Sequence, residues 1–397
     1  MKCNIWKDCP KVPITELLSF IVDNRGKTVP TAPYGHKLIA TNCVTNNTLF
    51  PVYEKVRYLS DETYNTWFRA HPIPGDILFV NKGTPGRVCM VPDPVDFCIA
   101  QDMIALRGDD TKIYNKYLFA VLRSREIQQQ IYNTNVGDVI PHFKKQFLNQ
   151  LLIPVPDFPI QKDIGDCYYL ISYKIELNNK INENLEQQAQ ALYQELFINN
   201  ADSEWQKGTI SDLGAVVGGS TPSKSKPEYY TENGIPWITP KDLSVNKAKF
   251  ISHGENDITE LGLKNSSATI MPEGTVLFSS RAPIGYIAIS AGDVTTNQGF
   301  KSVVPKPEIG TAFVYYFLKH NLPVIEGMAS GSTFKEVSGS TMKNVPAVIP
   351  NSETLFRFNS FCTPIFEQQR ILEEQNQRLA ELRDSLLPKL MSGKISF

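Results

Sequence analysis

The sequence predicts an α+β protein made of two homologous mixed α/β domains, each closed by a long helix, with the two helices paired to give a pseudo-two-fold particle. Three observations predict it. PIPGDILFVNKGTPGRV (72–88) aligns without a gap on MPEGTVLFSSRAPIGYI (271–287), so Gly75 falls on Gly274, Phe79 on Phe278, Lys82 on Arg281 and Gly86 on Gly285. The order of textures is the same in both halves, from Pro-, Gly- and Thr-rich segments to a final helix-forming stretch. Each final stretch carries an apolar stripe at three- and four-residue steps, near the 3.5-residue spacing of a helical seam.

The elements follow in order. PGDILF and EGTVLF each read as a turn feeding a strand, and short helices are predicted near 115–131 and 311–320. LLIPVPD (151–157) echoes AVIPNSE (347–353), just before each long helix. The first stripe runs through Ile171, Ile175, Asn178, Asn182, Leu185, Ala189, Leu192 and Leu196. The second runs through Ile365, Gln369, Leu372, Asn376, Leu379, Arg383, Leu386 and Leu390. Asn182 and Asn376 fall in the seam, where a polar residue costs stability and fixes register. Glu186, Gln187, Gln190, Glu373, Glu374 and Gln377 are assigned to the solvent faces. Thr363-Pro364 reads as a helix start and Met391-Ser392-Gly393 as a stop. The predicted segments are 1–158 and 201–352 for the two domains, and 159–200 and 353–397 for the helices.

Composition narrows the function classes. A chain of 397 residues that is 42% hydrophobic and 20% charged has enough apolar material for two cores. A formal net charge of -1 argues against an unaided, strongly basic polyanion binder, though not against local lysine clusters. Seven scattered cysteines without C-x-x-C read as reduced thiols, and neither a signal peptide nor a membrane span is expected, which points to the cytoplasm. The sequence has no Walker A loop, no G-x-G-x-x-G, no Asn/Asp-Pro-Pro-Tyr/Phe and no Glu-x-Lys. Its five histidines are dispersed, so no metal site is expected. Ser279-Ser280-Arg281 lacks the G-x-S-x-G turn of a nucleophile elbow, so no catalytic residue is assigned.

In combination, GGSTPS (218–223), IPWITPKDL (235–243), PEGTVLFSSRAPIG (272–285), TTNQGF (295–300), GSTFKEVS (331–338) and LLPKLMSGKI (386–395) resemble the specificity subunit of type I restriction–modification systems. The resemblance spans essentially the whole chain and is clearest in its second half. In the first half KLIATNCV (37–44) stands where IPWITPKD stands, and NVGDVIPHFKK (135–145) where GSTFKEV stands. The resemblance implies two target recognition domains, each reading one half of a bipartite, asymmetric DNA site. It also implies an antiparallel coiled coil that sets the half-site spacing. Its implied partners are double-stranded DNA, two methyltransferase subunits carrying S-adenosylmethionine, and restriction/translocase subunits using ATP and Mg. This chain itself would hold no cofactor and do no catalysis.

The residues suit that role. Ser220, Thr221, Ser223, Lys224 and Lys226 offer hydroxyl and ammonium donors at a turn, as phosphate contacts require. Trp237 is read as core rather than as a base-stacking platform, with Lys241 reaching outward. Arg281 and its counterpart Lys82 suit guanine, and Asn297 and Gln298 suit adenine, with turn capping the competing role for that pair. Lys335 is read as a phosphate contact. Arg25, Lys27, Thr41, Asn42, Arg87, Gln101, His142 and Lys144 complete the candidates in the first domain. Two other readings compete: a protein-interaction scaffold that binds no DNA, and a single-chain DNA-modifying enzyme.

Overall fold

The computed structural model describes residues 4–24, 28–135, 141–331 and 335–395. The chain divides into two compact units, one made of 1–178 with 375–397 and the other of 179–374. Each unit contains one α/β lobe and a stretch of each long helix.

In the first unit, a four-stranded antiparallel sheet orders Leu18–Val22, Met103–Gly108, Ile77–Val80 and Val88–Met90. A three-stranded sheet orders Arg57–Leu59, His36–Ile39 and Phe97–Ile99, the last pair parallel. Lys11–Pro13 pairs with Leu152–Pro154 at the foot of the lobe. The second unit repeats the plan. Gly214–Gly218, Lys301–Pro305, Val276–Ser280 and Ile284–Ser290 stand in the same order, with Phe250–Ile251 added at the edge. Ile235–Ile238 pairs parallel with Thr295–Thr296, and Gln206–Thr209 pairs with Pro346–Ile349.

The repeat read from sequence has a physical basis. Gly75 and Gly274 both have φ near +85° (86° and 83°), and Gly86 and Gly285 have φ of 87° and 95°. Glycine enters this region without steric cost, so the two turns that start and end the strand–loop unit are fixed by residue type. Phe79 and Phe278 are fully buried between them. The carbonyl of each first glycine accepts from the next helix, Gly75 from Asn115 and Gly274 from Thr311 Oγ1 at 2.9 Å. The helix predicted near 115–131 divides into Asn115–Leu122 and Arg125–Thr134, because the Ser124 hydroxyl accepts from Ile127 N and caps a new helix.

The long helices run Phe158–Gln194, followed by a π-helical turn at Glu195–Asn199, and Ser352–Met391. Within each unit they run antiparallel. In the first, the Arg383 guanidinium lies 5.6 Å from the Tyr168 ring centre, and Asn178 Nδ2 donates to Asn376 Oδ1 at 2.8 Å. In the second, Gln369 Nε2 donates to the Asn182 carbonyl at 3.1 Å, and Tyr193 meets Phe358 edge-on. Every residue assigned to the seam is buried or half-buried. The helices also complete the lobe cores. Leu387, Leu390 and Met391 join the core of the first lobe, and Ala189, Tyr193 and Phe197 that of the second.

Two expectations need correction. The second helix does not start at Thr363-Pro364 but eleven residues earlier, at Ser352. An interior proline costs about 3 kcal/mol. Burial of Leu355, Phe358, Cys362, Ile365 and Phe366 on the same face outweighs it, at about 1.5–3 kcal/mol for each large apolar side chain. Glu186 and Glu373 do not face solvent. They surround Lys249, whose side chain is 7% exposed, so the helix periodicity put them on the wrong face of a partnered element. Asn182 and Asn376 both lie in the seam, but Asn376 pairs with Asn178, while Asn182 receives Gln369 on its main-chain oxygen. Met391 does end the helix as read. Gly393, with φ of 66°, donates its N–H to the Leu390 carbonyl at 3.1 Å.

Candidate nucleic-acid interface

In the second unit, four stretches far apart in sequence meet at one end of the sheets. The Gly218–Gly219 pair lets the first of them close in. A Cβ on Gly219 would lie 2.0 Å from the Asn297 carbonyl oxygen and 2.4 Å from that of Thr296. Ser220 N then donates to Thr296 O at 2.9 Å, and Thr221 Oγ1 bonds the Gln298 side chain. Trp237 is buried, as expected of a core residue, and its indole N–H donates to Ser220 O at 3.0 Å, so it braces the loop from beneath. Ser280 N donates to Gly299 O at 2.7 Å, and Val337 N to Ser280 O at 3.0 Å. These two bonds tie the loops after residues 280, 296 and 335 together.

The side chains brought together there are Thr221, Gln298, Arg281, Lys335, Glu336 and Lys301. Arg281 Nη1 lies 3.4 Å from a Glu336 carboxylate oxygen, and Lys301 Nζ lies 3.8 Å from the other. Burial lowers the Lys301 ammonium below its ordinary value, against the pull of Glu336. Gln298 and Lys335 are exposed, and Arg281 is part-exposed. Asn297 takes the capping role, since its Oδ1 accepts from Gly299 N at 2.8 Å. Ser220 Oγ is used internally, accepting from Ser267 N at 3.3 Å. Lys224 and Lys226 are exposed on the continuing loop, with Lys226 Nζ 5.2 Å from the Tyr229 ring centre. Lys241 is the second residue of the helix Pro240–Val245, which Thr239 and Asp242 cap reciprocally, and its ammonium lies 2.6 Å from Glu255.

The first unit assembles the corresponding loops with other side chains. Lys82 and His142 form an antiparallel bridge, and Phe143 N donates to Asn81 O at 2.8 Å, as Val337 does to Ser280. Asp102, next to Gln101, accepts from both Asn81 N and Lys82 N. Arg87 closes the same turn, and Lys144 is exposed two residues beyond His142. Thr41 and Asn42 form the turn after His36–Ile39, with the Asn42 amide donating to Glu54 O at 2.6 Å. Arg25 and Lys27 lie outside the described residues.

Sequence reasoning missed Lys301 and Glu336. Both sit inside or beside motifs already singled out, Lys301 directly after TTNQGF and Glu336 within GSTFKEVS. Only the fold shows that these neighbours in motif are neighbours in space. Among the described residues no group of three or more His, Cys, Asp or Glu side chains is placed to hold a metal ion, and no helix is long and apolar enough to cross a membrane.

A lobe made twice, whose cations and amides sit on loops braced from the core at the sheet ends, defines a duplicated recognition protein. Its sequence matches the family described as type I restriction modification DNA specificity domain twice, at residues 27–187 and 202–382. The chain belongs to that family, whose members are type I restriction–modification specificity subunits. The MjaIX specificity subunit of Methanocaldococcus jannaschii is 43% identical over 163 residues, which cover 41% of this chain and 38% of that protein. The HindI specificity subunit of Haemophilus influenzae is 24% identical over 401 aligned residues, covering 81% of this chain and 86% of that one. The crystal structure of a type I restriction–modification S subunit from M. genitalium superposes with a TM-score of 0.59 at 17% identity, covering 96% of this chain and 95% of that one. That last likeness concerns the fold.

Proposed function

We propose that this chain is the non-catalytic reader of a type I restriction–modification complex, each unit reading one half of a bipartite, asymmetric DNA site. The observation that carries the reading is the convergence of Thr221, Arg281, Gln298 and Lys335 from four separate stretches onto one end of the second lobe, with three of the corresponding loops converging in the first. Arginine suits guanine and glutamine suits adenine in the major groove, while lysine and threonine suit phosphate. The two lobes share a plan but differ in these side chains, so the half-sites are expected to differ. A net charge of -1 fits a reader whose grip on phosphate is shared with partners.

In this reading two methyltransferase subunits dock on the chain and supply S-adenosylmethionine, restriction/translocase subunits supply ATP- and Mg-dependent work, and the complex acts in the cytoplasm. The helices Phe158–Gln194 and Ser352–Met391 set the separation of the half-sites. The test is methylome sequencing of cells expressing the chain with its cognate methyltransferase. A bipartite adenine-methylated motif is expected, and exchange of residues 1–158 for those of another family member should change one half of it. Absence of any motif, or a change in both halves, would refute the assignment.

A further inference from the structure

Both lobes carry a groove in the same place, between the loop closed by the second glycine turn and the helix that follows. In the second unit it measures about 720 Å³ and is lined by Arg281, Glu326, Lys335 and Glu336 among others. In the first unit it measures about 350 Å³ and is lined by Pro85, Arg125, Gln128, Gln129, Tyr132 and Asn135. The two are equivalent in construction. A Cβ on Gly86 would meet Ile131 Cγ2 at 3.1 Å, and one on Gly285 would meet Leu322 Cδ1 at 2.6 Å, so in each unit the missing side chain seats the loop on its helix.

The first groove is built on a fixed helix. Ile127 and Ile131 are buried in the core, and Gln128 Nε2 donates to Gly86 O at 2.8 Å and Leu122 O at 2.7 Å. That anchoring turns Arg125, Gln129 and Tyr132, at i, i+4 and i+7, to one exposed face. Tyr132 is 74% exposed although it flanks a packed core. Among the described residues the Gln129 amide donates to Asn133 Oδ1 alone, at 2.8 Å. No carboxylate among the described residues lines this groove, whereas two line its counterpart. The adjoining loop carries Lys82 and Arg87, so the groove continues the face on which the first unit's cations lie.

Resting on the reading of each unit as a DNA reader, we propose that the helix Arg125–Thr134 is a specificity-determining surface of the first unit. Gln129 reads a base edge, Tyr132 lies against a base or its methyl group, and Arg125 holds a phosphate. Duplex DNA is the occupant that the charge selects. An amide paired bidentately with adenine discriminates against other bases by roughly 5- to 100-fold, and a phosphate contact adds about one unit to the slope of log affinity against log salt.

The experiment uses the reconstituted methyltransferase complex. Gln129→Ala and Tyr132→Ala are expected to relax the methylated motif by roughly 5-fold or more at one or two positions of a single half, the half also altered by exchange of 1–158. Arg125→Ala should weaken all sites alike and reduce the salt slope by about one. An unchanged motif and affinity in all three variants would overturn the proposal, as would changes confined to the other half. A loss of methyltransferase assembly on size-exclusion chromatography would also overturn it, by making the helix a protein-docking face. A wild-type complex that yields no bipartite motif would instead refute the DNA-reading function itself.

Discussion

Lys249→Met should unfold the second unit several degrees early. The Lys249 ammonium is enclosed by the Glu186 carboxylate and by Gln369 Oε1 at 2.6 Å, and lies 4.2 Å from the Phe366 ring centre and 4.9 Å from that of Tyr315. Burial lowers the Lys249 ammonium from its ordinary value, with Glu186 opposing. Methionine keeps the approximate length and packing of the side chain and removes its charge together with its hydrogen-bond donors to Glu186 and Gln369. Removing one partner of a buried pair costs about 3–5 kcal/mol. Glu186 keeps Lys319 at 2.7 Å and the Tyr316 hydroxyl at 2.9 Å, which puts the loss at the lower end, about 3 kcal/mol. For a unit of this size each kcal/mol shifts Tm by roughly 2–4 °C, so a fall of roughly 6–12 °C is expected by calorimetry on the full chain. The double variant Lys249→Met with Glu186→Leu should recover part of it, because an apolar pair replaces a buried ionic one at little cost. A fall of less than about 2 °C in the single variant would show that the cluster is screened like a surface pair, and would refute the reasoning.

Four further outcomes follow from the same geometry. Gly219→Ala places a methyl 2.0 Å from the Asn297 carbonyl, so it should displace the Ser220–Thr221 loop and lower DNA affinity of the assembled complex by about 10-fold or more, checked by fluorescence anisotropy. Arg281→Ala should lower affinity and cut the salt slope by about one if Arg281 meets phosphate, or relax one guanine position if it meets a base. Although burial raises the Glu186 carboxyl, the ammonium groups of Lys249 and Lys319 outweigh it and hold the pKa at about 2, below the ordinary 4.5. Its stabilising contribution is therefore present above pH 4.5 and lost as pH falls towards 2. Glu186→Gln should flatten the dependence of Tm on pH in that window. Glu373, raised by burial, acts with the opposite sign and remains in the variant. Finally, the isolated chain should bind DNA weakly in a gel-shift assay, since its own charge is near neutral.

The sequence by itself determined the duplication, because glycines at 75, 86, 274 and 285 occupy backbone conformations that side chains resist, and such constraints are written one residue at a time. It determined the helical seam for a similar reason: every residue of the stripes had to leave solvent, and a 3.5-residue period records that directly. Trp237 as core was also legible, since it depends on near neighbours, whereas the sequence left Asn297 open between cap and base contact. Tertiary structure alone decided the rest. Pro364 marked a helix start only until Phe358 and Phe366 buried the helix on both sides of it. Glu186 and Glu373 passed for surface residues until Lys249, which is distant in sequence from both, filled the space between them. Lys301 and Glu336 joined Arg281 only once three loops were tied together. Local backbone preference and periodicity are properties of a segment, whereas a buried charge or a shared groove is a property of what packs against it, and no single segment carries that information.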